Sequence, residues 1–454
     1  MISIVLGSTI NTFPPLSAAP DSGPTGFLQT IDWTHYHNYT EIASILIQIN
    51  QSYPSIASVF SIGKSWQNRD IYCIKLTNKT RQAIKPQVFF VGYHHAREAI
   101  TAELTLYFVT YIVTNFGTNA TVTRMLNSSE IYVVVALNVD GFSLFQSNDW
   151  QRKNARPVDE DNDGRLDEDP PQDLNHDGLV EQLINYTNPS YPTFIQWEGT
   201  DQDGDGKIAE DWIGGVDPNR NYDYAWSDGD SDPNSEIYKG PSPFSEPETQ
   251  ALRNLVLSHN FTYALSYHSG AEVILYPWGY TFATTPNNAK YVSIAQNLSI
   301  ITGGTKYEQS SSLYLSYGTW DDWMYGTAHV KSLTCEIFNN ATYQEVSLPG
   351  PYPNTRWEGG IKYMFDPFPS GIQSVLVRWL PSFFYISNLA SITPERLRAD
   401  VNKDGKVNVL DLITAASAIG TRPGDAKWNP NADVKQDNII NVLDLIAVAR
   451  YLGT

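Results

Sequence analysis

Apolar and polar positions follow two rhythms between residues 32 and 391. Apolar residues three and four apart in "YTEIASILIQINQSY" predict an amphipathic helix, and the run "EAITAELTLYFVTYIVTNF" predicts a long buried one. Shorter runs rich in Val, Ile, Phe and Tyr predict strands. "IASVFSIGKSW" and "DIYCIKLTN" are joined by a turn; "VFFVG", "SEIYVVVALNVDG", "TYALSYHSG", "EVILYPWG" and "VKSLTCEIF" follow. Such strands between long helices predict an α/β sheet covered on both faces. Ligands of these sheets gather in loops beyond strand ends, where "GYHHARE" and "YHSG" both lie.

One segment, residues 157–214, breaks the rhythm. Three loops there place oxygen side chains at positions one, three and five, then Gly at six and an aliphatic residue at eight. They are Asp159, Asp161 and Asp163; Asp173, Asn175 and Asp177; and Asp201, Asp203 and Asp205. Alternating carboxylates converging on one ion, with Gly for the sharp turn, is the logic of a calcium loop. None has a carboxylate at position twelve, so a solvated, turn-forming insertion is the alternative.

After "SITPERLR" the composition changes again. "DVNKDGKVNVLDLITAASAIG" recurs as "DVKQDNIINVLDLIAVARYLG", a duplicated unit. Asp400, Asn402, Asp404 and Asp411 stand at positions one, three, five and twelve of the first loop. In the second, Asp433, Asp437 and Asp444 recur, while Lys435 takes position three and Asn438 replaces Gly. Each loop runs into an apolar-periodic helix. Residues 395–454 strongly resemble a dockerin, a two-repeat calcium-folded module. The resemblance implies binding to a cohesin-like receptor through Val409-Leu410 and Val442-Leu443. A calcium-stapled cap on the rest of the chain is the alternative.

Composition narrows the function classes. The 454 residues are 41% hydrophobic, enough for one large domain and a small one. A formal net charge of −19 argues against nucleic acid as a partner. Cys73 and Cys335 lie in apolar runs and read as buried thiols rather than a disulfide framework. Residues 1–31 read as a clipped or atypical signal peptide or as a disordered leader. No other run is apolar enough to span a membrane. Sequons at Asn38, Asn78, Asn119, Asn127, Asn260, Asn297 and Asn340 fit a secreted, extracellular protein.

The chemistry concentrates in "GYHHARE". His95 has a carboxylate three residues on, Glu98, and "LSYHSG" offers His268 at another strand end, followed by small residues. A catalytic zinc needs three protein ligands and an open position, and two His with one Glu is an attested set.

These residues resemble the zinc carboxypeptidases of the pancreatic A and B type, from about Trp33 to Leu389. The resemblance implies a mixed, mostly parallel sheet flanked by helices, within a catalytic domain at 32–392. It makes His95, Glu98 and His268 the zinc ligands and Arg97 a substrate-side cation. "SNDWQRKNAR" supplies Arg152 to polarise the scissile carbonyl, and "GVDPNRNYD" supplies Asn219 and Arg220 to grip a terminal carboxylate. "LYLSYGTWDDW" puts Tyr314 at the family's mobile tyrosine, and "LTCEIF" puts Glu336 at the general base. Gly270 stands where members often have a tyrosine. Asp321 falls at the base of the pocket for the departing side chain, where aspartate goes with Lys or Arg. The family's inhibitory pro-domain has no counterpart, so either activation does without one or the chain is incomplete upstream. The expected activity is secreted, zinc- and calcium-dependent hydrolysis of C-terminal peptide bonds, with peptide or protein C-termini as partners. A cell-wall peptide amidase or peptidase on the same scaffold is one alternative; a non-catalytic assembly component is another.

Overall fold

Asn38 starts the first helix. Its side chain accepts the Glu41 N–H at 3.1 Å, and the Glu41 carboxylate accepts the Asn38 N–H at 2.8 Å. The computed structural model describes residues 31–81, 85–159, 164–177, 179–209, 211, 214–340, 343, 346–404, 406–435, 437–449 and 451–453. The leader, Asp161 and Asp163 therefore lie outside the described residues.

The strands are β1 (Ala57–Lys64), β2 (Asp70–Leu76), β3 (Gln87–Val91), β4 (Glu130–Val134), β5 (Glu181–Asn185), β6 (Thr193–Trp197), β7 (Phe261–His268), β8 (Ala271–Tyr276), β9 (Lys306–Gln309), β10 (Lys331–Phe338), β11 (Val346–Pro349) and β12 (Thr355–Gly359). The helices are α1 (Tyr39–Ser52), α2 (Ala99–Asn115), α3 (Ala120–Ser128), α4 (Gly141–Ser147), α5 (Pro247–Leu257), α6 (Asn288–Ile301), α7 (Ser310–Leu313), α8 (Trp320–Gly326), α9 (Lys362–Phe365), α10 (Ile372–Ala399), α11 (Val409–Ser417) and α12 (Val442–Ala449).

Eight strands form the main sheet in the order β1-β2-β4-β3-β7-β10-β8-β9. Its centre, β4-β3-β7-β10, is parallel, and β1, β2 and β8 join it antiparallel. The expected mixed, mostly parallel α/β sheet flanked by helices is present. The central strands are the apolar ones: Val88 to Val91 of β3 are fully buried, as a strand covered on both faces must be. Helix α10 packs on α2 and α3 and against β3 and β7. Phe108 of α2 stacks on Phe383 of α10 with ring centroids 4.1 Å apart. Truncating such a ring to Ala costs about 3–5 kcal/mol.

A second sheet was not expected. Strands β5 and β6 of the Asp-rich insertion pair antiparallel with each other, and β5 pairs with β12, giving the order β11-β12-β5-β6. The insertion is therefore a folded extension and not only a string of loops. Its strands are short, and "TFIQW" is exposed or half-exposed throughout, so no clean alternation marks it.

The C-terminal repeats enclose a small core of their own, with Val401, Val407, Ala415, Val434, Ile440, Ala447 and Val448. Helix α10 reaches it without a break: Ala390 belongs to the main core and Ala399 to the small one. The expected boundary at 392–395 falls inside this helix. Arg398 Nε donates to the Val434 carbonyl at 2.9 Å, tying the helix end to the second repeat.

Candidate active site and metal centre

The loop between β3 and α2 is shaped by its own polar atoms. Tyr93 adopts a left-handed φ of 58°. Its N–H donates to Thr101 Oγ1 at 2.9 Å and its hydroxyl to the Ala96 carbonyl at 2.7 Å. Glu98 occupies the N-cap of α2 but makes no capping bond. Asp366, distant in sequence, accepts the Ala99 and Ile100 N–H groups at 3.3 and 2.8 Å instead. Because another carboxylate serves the helix end, that of Glu98 is free to face His95 and His268.

Those three side chains converge. His95 Nδ1 lies 2.7 Å from Glu98 Oε1, and His268 Nδ1 lies 3.1 Å from Glu98 Oε2 and 3.2 Å from His95 Nδ1. All three residues are buried, and one ligand atom from each falls within 4.8 Å of the others. Glu98 Oε2 has His268 Nδ1 3.1 Å away but, among the described residues, no well-aligned hydrogen bond, and two imidazole nitrogens face each other across a distance that both cannot fill with protons. The donor set fits a zinc ion. Burial works to raise the Glu98 pKa, but its interactions with His95 and His268 outweigh that and leave it below the usual carboxylate range.

A second layer aims the imidazoles. His95 Nε2 is 3.1 Å from Asp217 Oδ1, and Asp217 Oδ2 accepts Arg152 Nε at 2.9 Å. Asp217 is fully buried. Burial alone would raise its pKa, yet Arg152, His95 and Arg220 hold it well below the usual range. On the other imidazole, Ser266 Oγ lies 3.0 Å from His268 Nε2 and 3.2 Å from His94 Nδ1, and His94 Nε2 reaches the Tyr222 hydroxyl at 3.0 Å. Burial, then the neighbouring His268 and His95, push the His94 pKa well down, so this relay is neutral. Sequence reading passed over Asp217, though it sits inside "GVDPNRNYD". Its signal was the Asp-Pro pair: Asp217 caps the short turn Pro218–Arg220 by accepting the Asn219 N–H at 2.8 Å.

That turn brings Asn219 and Arg220 to the cleft. Asn219 Oδ1 accepts the Trp320 N–H at 2.8 Å, and Arg220 Nη2 donates to the Tyr314 hydroxyl at 3.2 Å. Tyr314 is 53% exposed, so this bond is its anchor at the rim. Gly318 makes the approach possible: at φ 64° a Cβ there would lie 2.2 Å from the Arg220 carbonyl oxygen. Glu336 pairs in register with His268 across β10 and β7, on the strand face opposite Cys335. Its pKa is raised well above the carboxylate range by burial and then by Glu98, with Arg152 and Arg220 opposing.

Asp321 is buried in the first turn of α8 and accepts Ser310 Oγ at 2.8 Å. Arg97 differs from expectation. Instead of presenting a free cation, it forms a bidentate pair with Glu236 (both bonds 3.0 Å), donates to the Trp150 carbonyl and lies 4.4 Å from the Phe365 ring centre. Phe365 also explains Gly270: a Cβ at that position would meet the ring at 2.4 Å. An aromatic ring from α9 therefore occupies the space a side chain at that position would need.

Residues 42–374 match the zinc carboxypeptidase family, and residues 398–453 match the dockerin type I domain. The chain belongs to the zinc carboxypeptidase family. Carboxypeptidase B of Astacus astacus is 31% identical over 325 residues, covering 69% of this chain and 89% of that protein. A zinc carboxypeptidase of Saccharothrix mutabilis subsp. capreolus is 27% identical over 340 residues, covering 71% of this chain and 65% of its own. Thrombin activatable fibrinolysis inhibitor shares the fold, with a TM-score of 0.60, 22% identity, and coverage of 80% and 76% of the two chains. So does carboxypeptidase A of Helicoverpa armigera, with a TM-score of 0.59, 20% identity, and coverage of 81% and 76%. The zinc carboxypeptidase family is a hydrolase family that uses a catalytic zinc ion, and dockerin domains bind calcium and cohesins. No single helix among the described residues is long and apolar enough to cross a membrane.

The acidic loops divide. Asp400, Asp404 and Asp411 cluster in the first repeat, and Asp433, Asp437 and Asp444 in the second. Asn402 accepts the Asp404 N–H at 3.0 Å. Asn438 takes φ 64°, the left-handed conformation for which Gly is usual. In the insertion, the cluster is not the expected Asp201, Asp203 and Asp205. It is Asp201, Asp203 and the buried Asp169, while Asp205 pairs with Lys207 at 2.7 Å. Asp173 and Asn175 accept backbone N–H groups of their own turn, as Asp177 does from Leu179, and Asp159 accepts the Gly164 N–H.

Proposed function

We propose that this zinc carboxypeptidase is secreted, removes single C-terminal residues from peptides with a preference for basic ones, and is held to a receptor by its dockerin domain. The observation that carries the reading is the Arg220–Tyr314 pair beside Glu336 and the His95, Glu98, His268 cluster. A cation and a hydroxyl so close to a general base read a free carboxylate next to the scissile bond.

Zinc held by His95, Glu98 and His268 would supply a Lewis acid and activate water. Glu336, with its proton affinity raised by burial and by Glu98, takes the proton of the attacking water and passes it to the leaving amine. Arg152, held through Nε by Asp217, offers its remaining donors to the developing oxyanion. Arg220 grips the terminal carboxylate, and Tyr314 closes over it from the rim. Asp321 supports the basic preference, because it is a buried carboxylate with no ion pair among the described residues.

At equivalent positions of the two repeats Val409, Leu410, Val442 and Leu443 are all more than half exposed, which supports docking to an apolar cohesin-like face. Calcium at the three acidic clusters would fold the repeats and brace the insertion. Mass spectrometry of a peptide library incubated with zinc-loaded protein tests the reading. Loss of single C-terminal residues, abolished by Glu336→Gln, is expected; internal cleavage or no cleavage would refute it.

A further inference from the structure

The second sheet builds a groove against the catalytic domain. Its volume is about 390 Å³, and its walls include Trp150, Tyr186, Phe194, Tyr343 and Glu358. Tyr186 lies just beyond β5 and Phe194 lies on β6, so the insertion supplies much of the aromatic surface. Among the described residues no lysine or arginine lines it, and the one carboxylate that does, Glu358, accepts the Tyr186 hydroxyl at 2.7 Å.

The groove adjoins the catalytic centre through two covalent links. Trp150 stands two residues before Arg152, and its carbonyl accepts Arg97, the neighbour of Glu98. Ile361, at the other end of the lining, leads into α9 and Phe365, whose ring touches Gly270 beside the zinc-side loop. Two residues of chain span at most about 7 Å. The groove thus neighbours Arg152 along the chain, on the residues before it, and the upstream part of a bound peptide is the part that could enter it.

We propose that this groove is a binding site for a lysine or arginine side chain in the upstream part of the substrate peptide. The proposal rests on the carboxypeptidase reading. Aromatic faces beside a carboxylate form a site for a positive charge, and ring faces attract an ammonium or guanidinium within about 6 Å. An extended side chain would lay its aliphatic stem along Phe194 and bring its head group to Glu358.

The test uses the full-length, zinc-loaded protein. Peptides sharing one C-terminal dipeptide but carrying Lys, norleucine or Glu at the second to fourth positions upstream of the scissile bond are compared by kcat/KM, with a blocked dipeptide too short to reach the groove as control. Lys is expected to exceed norleucine by about tenfold at one position and Glu by more. Phe194→Ala and Glu358→Gln should each erase that preference with dipeptide turnover unchanged. A preference absent in wild type, or intact in both variants, overturns the proposal.

A second arm does not depend on turnover. Tryptophan fluorescence reads binding of a C-terminally amidated Lys peptide, because Trp150 lines the groove and Trp197 packs on it with ring centroids 5.4 Å apart. Saturable quenching lost in Phe194→Ala supports the site even if no C-terminal residue is ever released, in which case only the activity reading fails. Quenching by a neutral oligosaccharide but not by the Lys peptide would overturn the proposal and assign the groove to carbohydrate.

Discussion

Asp217 Oδ1 lies 3.1 Å from His95 Nε2, and that contact sets which nitrogen faces the metal site. A carboxylate held ionised can only accept, so Nε2 carries the proton and Nδ1 keeps its lone pair toward Glu98 and His268. Asp217→Asn keeps the shape but allows the amide to donate, which inverts this choice. Zinc affinity is expected to fall about 10- to 100-fold. Competition with a chromogenic chelator measures it, and unchanged affinity would mean that Asp217 does not set the tautomer.

The proposed role of Asp321 makes a separate prediction. Burial, and then the charge of Asp321, push the Asp322 pKa well up, while Asp322 accepts the Gly279 and Tyr280 N–H groups. Asp321 is therefore the carboxylate left to meet a cation. Wild type should prefer C-terminal Arg over Leu in kcat/KM, and Asp321→Ala should lower that ratio by about tenfold or more. A wild-type preference for Leu would remove Asp321 from the account.

Glu248 predicts a pH dependence of stability remote from the metal. It is fully buried, with Trp66 N–H and Asn154 Nδ2 donating to its two oxygens, and burial pushes its pKa up to about 8 from 4.5. The folded state thus retains a proton that the unfolded chain releases. This contribution is fully present below about pH 4.5 and is lost as the pH rises through about 8. Melting temperatures followed from about pH 5 to pH 9 should fall more steeply for wild type than for Glu248→Gln. Parallel curves would show that Glu248 titrates normally.

Calcium should bind the two dockerin repeats unequally. The first offers Asp400, Asn402, Asp404 and Asp411, whereas Lys435 removes one oxygen ligand from the second and Asn438 replaces its Gly. Calorimetric titration should resolve a tighter and a weaker class, with Asp404→Ala abolishing the tighter and Asp437→Ala the weaker. Equal affinities, or full helicity in excess chelator, would contradict this.

What the sequence disclosed follows how local each signal is. His95 and Glu98 lie three residues apart in one loop, and the apolar strands of the main sheet advertise themselves, so the metal motif and fold class were legible. Partners brought together by packing were not. Asp366 caps α2, Glu236 engages Arg97 and Phe365 fills the space at Gly270 from distant stretches that carry no mark of their destination. Counting positions one, three and five within each loop likewise chose Asp205. The fold instead draws Asp169 from the stretch between the first two loops and gives Asp205 to Lys207.

The central claim is that one cleft joins the His95, Glu98, His268 cluster, Glu336 and an arginine that reads a free C-terminus. The most direct measurement compares kcat/KM for one peptide as its free acid and as its amide, in zinc-loaded wild type and Glu336→Gln. The account predicts that wild type favours the free acid by about a hundredfold or more and releases only the last residue. It also predicts that Glu336→Gln, though folded and zinc-bound, cleaves neither. Equal hydrolysis of acid and amide, or turnover that survives Glu336→Gln, would contradict it.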